Sequence, residues 1–282
     1  MNFLPSNPSS SLISPVFRLL VAWLAICLML SQFEVSPAAG QETEPQAADE
    51  KIELPKNQKE PVFIYDNAGG FRRIPKKHKD FQVFADGRVL ATNDDGAREI
   101  QLDDDQLQEL LQFVVNQHNA LKYSTEGLVA EMKKVGKLPQ DQIADATSAE
   151  VSINLPKGKN SFSVYALFLA QKQFPKIKGI HDLAAIKKKV GQLVAIDVLG
   201  DRKQKILDFV NAEIKKQGLK LKPVSIKDLS GASEFKNGGF QANFQRPQPN
   251  PENTNSAVIN INYYQKSKED QPVVRVFGLQ RE

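Results

Sequence analysis

Phe81-Gln-Val-Phe-Ala-Asp-Gly-Arg-Val-Leu-Ala91 is the stretch that decides the fold. Phe81, Val83 and Ala85 alternate with Gln82 and Phe84, and Val89 and Ala91 alternate with Arg88 and Leu90. A period of two carried by aromatic and β-branched residues suits a pleated surface. Between the runs stands Asp86-Gly87, a pair that tolerates the positive φ a two-residue hairpin turn requires. An antiparallel hairpin is therefore predicted. Upstream, Val62–Asp66 reads as a third strand, ended by Asn67-Ala-Gly-Gly70. Downstream, Asp103 can cap a helix, with Gln106 three residues later as its reciprocal partner. Leu107, Leu110, Leu111, Val114 and Val115 then share one helical face that can cover the sheet.

The same plan returns further on. Val151, Ile153 and Leu155 alternate with polar residues, Pro156–Asn160 turns the chain, and Phe162, Val164 and Ala166 continue the alternation. After a break at Phe174–Gly179, Leu183, Ile186, Val190, Leu193 and Val194 mark a helix of about five turns. Leu128, Val129, Met132 and Val135 predict a short helix between the two units. Beyond Gly200, Ile206, Leu207, Val210 and Ile214 predict another, ended by Gly218. Four strands are expected after it: Leu219–Ile226, with Pro223 favouring an edge, then Phe240–Phe244, Ala257–Tyr264 and Val273–Phe277. Arg246–Asn255 reads as a long polar loop. The fold class is α+β: mostly antiparallel sheet with amphipathic helices packed on one face, in hairpin–helix units. Two lobes are expected, 61–199 and 200–282.

Residues 1–40 read as a secretory signal. Arg18 precedes the apolar run Leu19–Leu30, and the small residues Ser36-Pro-Ala-Ala-Gly40 follow it. The run is shorter than the roughly 20 residues a spanning helix needs. Secretion or a periplasmic location is the expectation, and an uncleaved N-terminal membrane anchor is the alternative. Residues 41–60 are polar and read as a disordered linker. The mature chain has no transmembrane segment. The only cysteine, Cys27, lies inside the signal, so disulfides and thiolate chemistry are excluded from the mature protein.

The formal net charge of +4 is too small to argue for nucleic acid. It is unevenly spread, however. Arg72, Arg73, Lys76, Lys77 and Lys79 form a basic loop beside Phe71 and Phe81. Such a loop can bind an anionic polymer through counterion release, and its plain alternative is a solvated loop. The three histidines, His78, His118 and His181, lack zinc spacing. Asp94, Asp95, Asp103, Asp104 and Asp105 are dense, yet Ala91 and Leu102 would fall on the first and last ligand positions of a calcium loop. Helix capping accounts for them better. No nucleophile elbow, phosphate loop or dinucleotide fingerprint is present. No catalytic, cofactor-binding or metal-binding residue is therefore assigned.

Phe63–Gly70, Phe84–Val89 and Ser163–Leu167 near Gln173-Phe-Pro175 resemble segments of uncharacterised exported proteins of planctomycete-type bacteria. The resemblance implies secretion and carries no catalytic residue. The expected function is an exported, non-catalytic binding or structural protein, acting on another protein or a cell-envelope component through its sheet faces or basic loop. The alternatives are binding to an anionic polymer through residues 72–79, and a hydrolase whose carboxylates meet only in the folded chain.

Overall fold

The Phe81–Ala91 hairpin forms, but with a longer turn than Asp86-Gly87 alone predicts. Strands β2 (Phe81–Phe84) and β3 (Arg88–Asn93) pair Phe81 with Ala91 and Val83 with Val89. Ala85 and Asp86 occupy the turn centre, the Gly87 amide donates to the Phe84 carbonyl, and Gly87 follows with φ +80°. This is the three-residue solution, in which a glycine in the left-handed region makes a bulge and restores strand twist. Gly87 also anchors the hairpin, since its carbonyl accepts from the Leu102 amide at the approach to the following helix.

The computed structural model describes residues 51–70, 79–93, 96–219, 221–247 and 258–277. Around the hairpin, β1 (Pro61–Gly69), β4 (Gly96–Gln101), β5 (Thr147–Leu155) and β6 (Gly158–Tyr165) complete a six-stranded sheet in the order β4-β3-β2-β1-β5-β6. Every pairing is antiparallel. The first strand is longer than its apolar run. It continues through Asn67 to Gly69, because β5 pairs with it as far as Thr147.

Helix α1 (Asp104–Gln112) begins as its spacing predicts. The Asp103 carboxylate accepts from the Gln106 amide at 2.8 Å, and the Gln106 side chain accepts from the Asp103 amide at 3.1 Å. Such a cap contributes about 1 kcal/mol. Leu107, Leu110 and Leu111 are fully buried, each worth ~1.5–3 kcal/mol over exposure. A π-helical turn, Phe113–Gln117, extends α1. Ile52 is tied to this helix, exchanging both backbone hydrogen bonds with the Gln108 side chain.

Helices α2 (Thr125–Val135), α3 (Leu167–Gln173), α4 (Lys178–Leu199) and α5 (Lys203–Lys216) follow. Helix α4 builds two cores. Ile180, Leu183, Ile186 and Val190 pack with the first sheet, whereas Ala195, Val198 and Leu199 pack with α5 and the second. That second sheet contains β7 (Leu229–Glu234), β8 (Gly238–Pro247), β9 (Val258–Ser267) and β10 (Val273–Phe277), in the order β10-β9-β8-β7.

The described residues of the expected 219–226 strand do not form one. Arg246 prevents it: its guanidinium donates to the Lys222 and Pro223 carbonyls and grips the Asp228 carboxylate at 2.6 Å and 3.3 Å. The segment is held as irregular chain ending in the short 3-10 turn Ile226–Asp228. The first strand of the second sheet is instead Leu-Ser-Gly-Ala-Ser-Glu, 229–234. Arg246 itself belongs to β8 and not to a polar loop.

Candidate binding cleft

Strands β4 and β7 are edges of their respective sheets, and both border one cleft of about 410 Å³. That volume lies within the ~300–1,000 Å³ typical of ligand sites. The lining has an informative pattern. Gly96, Ala97 and Arg98 are consecutive in β4, and Ser230 to Glu234 are consecutive in β7. On the first sheet the lining also runs inward from the edge, because Arg98, Ala91, Phe81 and Tyr65 are cross-strand neighbours in one row, so the cleft lies over the end of that sheet's face. Between the edges lies α4, contributing Lys187, Val190, Gly191, Val194, Ala195 and Val198.

Small side chains create the space. Ala91, Ala97, Ala195 and Ala232 line it, and glycines stand at 96, 191 and 231. At Gly191 the helix comes close to β7, for a Cβ there would lie 3.6 Å from the Ser230 carbonyl oxygen.

Ion pairs mark the rim. Arg98 reaches Asp197 of α4 at 2.9 Å, which ties β4 to the helix. Arg202, in the turn after α4, donates to Glu234 of β7 at 3.2 Å and lies over the Phe240 ring. Exposed pairs of this kind contribute only about 0–1 kcal/mol. The Arg202 hydrogen bond holds the Glu234 carboxyl below its usual range. Lys187 is exposed and makes no ion pair with the described residues.

The inner wall is a polar chain at the end of β1. The buried Tyr65 hydroxyl donates to Asn67 at 3.0 Å, and Asn67 donates twice to the Asp80 carboxylate, at 2.9 Å and 2.8 Å. Asp80 in turn donates its amide to Asp66. Burial, reinforced by the charge of Asp80, pushes the Tyr65 hydroxyl far above its usual range, so it stays a neutral donor. Next to this wall sits Lys79. Its ammonium meets Asp66 at 2.9 Å and Glu150 at 3.8 Å. The Asp66 hydrogen bond raises its pKa. Of the five residues proposed for anion binding, Lys79 is thus engaged within the fold. Arg72, Arg73, Lys76 and Lys77 lie outside the described residues.

Among the described residues the cleft is lined by two carboxylates, Asp80 and Glu234, and by no histidine. Glu234 is committed to Arg202, and Asp80 accepts from Asn67. The arrangement can present hydrogen-bonding groups, both charges and a strip of apolar surface.

A histidine–carboxylate pair does occur elsewhere. His118 Nδ1 lies 2.9 Å from Asp182 Oδ1 in α4, while Tyr123 and Lys178 donate to Oδ2. Asp182 is 6% exposed. Burial pushes its carboxyl upward, but the bonds from Lys178, Tyr123 and His118 outweigh this and hold it below the usual range. Burial and the Asp182 acceptor drive the Tyr123 hydroxyl far upward. Among the described residues His118 makes no other side-chain hydrogen bond, and its ring packs edge-on against Phe113. The network clamps the 118–124 loop to the start of α4.

Asp103, Asp104 and Asp105 serve the α1 N-terminus. Asp94 and Asp95 lie outside the described residues. Among the described residues no three His, Cys, Asp or Glu side chains converge as a metal site, and no helix is long and apolar enough to cross a membrane.

Sequence reasoning missed the cleft entirely and missed Asp182. The second had a signal: a carboxylate inside the apolar stripe Gly179, Ile180, Leu183, Ile186, four residues after Lys178. The first had none, because glycines and alanines at exposed edges carry no periodicity. No protein-family model matches the chain, and neither a curated protein nor a solved structure proves similar to it.

Proposed function

We propose that this chain is an exported, non-catalytic binding protein that holds an extended segment of a partner protein in the cleft between its two sheets. One observation carries the reading: two edge strands, β4 and β7, border the same ligand-sized cleft. Edge backbone offers unpaired N–H and C=O groups in the spacing of a strand, and an added strand satisfies them. Strand β7 is the better template. Ser230, Gly231, Ala232 and Ser233 are small and uncharged, and although α4 lies against Ser230 at Gly191, Ser233 and Glu234 beyond it are exposed. Strand β4 carries Arg98 and Glu99, which blunt an edge. Arg98, Lys187 and Glu234 at the rim would select among peptides by charge. Export rests on the apolar run Leu19–Leu30 and the small residues after it, and on the resemblance to exported planctomycete-type proteins.

The test is a peptide-array screen with the purified protein, followed by titration of the best peptides. Strand addition predicts that N-methylation of alternate backbone amides abolishes binding. Ala97→Trp fills the cleft from an exposed position and should weaken binding about tenfold, ~1.4 kcal/mol. Peptides that bind equally well when N-methylated, or to the filled cleft, would exclude strand addition there.

A further inference from the structure

The second sheet buries one face and, among the described residues, leaves the other open. Phe240, Ala242, Phe244, Ile259, Ile261, Tyr263 and Val274 point inward, against α4 and α5. The outward residues fall into three rows across the strands. Gln241, Tyr264 and Val273 form the first, Asn243, Asn262 and Arg275 the second, and Gln245, Asn260 and Phe277 the third. Cross-strand partners share a face, so these nine residues form one continuous surface. A shallow depression of about 580 Å³ follows its middle and lower rows, with Ser230 at its border.

Two features set this surface apart. These nine residues include five carboxamides and no carboxylate, and Arg275 is the one charge among them, with exposed Lys266 next along β9 on the same face. Each carboxamide offers two donors and an acceptor. Gln241 uses one donor on Asn243, whereas Gln245 and Asn262 have no side-chain partner among the described residues. The surface also concentrates exposed apolar side chains. Tyr264, Val273 and Phe277 are 42%, 48% and 49% exposed, three of the five large hydrophobics so exposed among the described residues. Tyr264 is braced by Phe235, ring centroids 5.7 Å apart.

Carboxamides between exposed rings suit a ligand that is hydroxyl-rich, uncharged and has apolar C–H faces. Hydroxyl groups both donate and accept, as carboxamides do, and sugar C–H faces stack on aromatic rings. An anionic polymer would find only two cations, Arg275 and Lys266, on the described part of this face, and a purely apolar partner would bury the Gln245 and Asn262 amides without partners, at a cost of roughly 1–3 kcal/mol each. We infer that the open face of the β7–β10 sheet is a binding surface for a neutral polysaccharide. It borders the peptide cleft only at Ser230 and does not depend on that reading.

The experiment is a printed array of neutral and acidic polysaccharides probed with the purified protein, repeated in high salt. Binding to one or more neutral polymers that persists in salt is expected. Tyr264→Ala, Phe277→Ala and Asn262→Ala should each weaken it about tenfold, ~1.4 kcal/mol. Their far-UV circular dichroism and melting midpoints should match the parent, since Tyr264 and Phe277 are exposed. Ala97→Trp should leave it unchanged. No neutral polymer bound, binding only to acidic polymers with loss in salt, or neutral binding that survives all three substitutions would overturn the inference. So would sedimentation showing that the same substitutions dissociate a dimer, because the face would then be an interface between copies.

Discussion

Removing the Asp182 carboxylate tests the network that joins the 118–124 loop to helix α4. In Asp182→Ala, Tyr123 and His118 lose their acceptor inside a nearly closed site, and Lys178 loses its partner. A hydrogen bond to a charged group contributes ~1.5–3 kcal/mol, and stranding its buried partner costs more. Lys178 is 65% exposed in its side chain, so its share is discounted to about 0–1 kcal/mol. The expected loss is ~3–5 kcal/mol, the range for breaking a buried pair from one side. For a folded unit of this size that lowers the melting midpoint by about 6–20 °C. Far-UV circular dichroism is the suitable probe, because the single tryptophan, Trp23, lies in the N-terminal apolar segment. The pH dependence gives an independent check. The folded pKa of Asp182 is depressed, so the stability it supplies is complete above the unfolded value, about 3.9. It is lost as pH falls below that value and through the folded pKa. The variant should lose this acid-side slope as well as the stability. A loss under ~1 kcal/mol, with the acid slope unchanged, would refute the clamp and return Asp182 to the status of a solvated helix carboxylate.

Two substitutions probe the frame around the sites. Gly87→Ala puts a side chain at φ +80° and a Cβ 2.3 Å from the Leu102 carbonyl oxygen, which is backbone and cannot rotate away. It should cost ~1–3 kcal/mol in denaturant melts, and a change below a few tenths would mean that the turn has another conformation. Arg246→Lys keeps the charge but loses the fork that holds Asp228 and two carbonyls together. Faster amide exchange across 221–230 is expected there, with the first sheet unaffected, and equal protection would show that the guanidinium does not hold this segment.

What the sequence discloses here depends on how local the cause is. The Asp103–Gln106 box lies within four residues and is found as predicted. The β5–β6 hairpin and α4 are equally plain, because each buries a full periodic face. Strand β4 escapes notice because it is exposed almost throughout and shows no alternation. Strand β7 escapes because its small residues resemble a loop, while the apolar 219–226 segment beside it imitates a strand until Arg246, some twenty residues away, claims its carbonyls. The Asn260 and Asn262 positions are legible as outward-facing, yet the three-row surface exists only once β8 and β10 are in register with β9. The cleft is the extreme case. It is lined by residues of two sheets and a helix far apart in the chain, and its space comes from alanines and glycines, which leave no pattern in a single chain. Binding by strand addition uses the groups every residue shares. A site of that kind is therefore the hardest to read from residue identities, and N-methylated ligands, which alter only the shared groups, are the direct way to detect it.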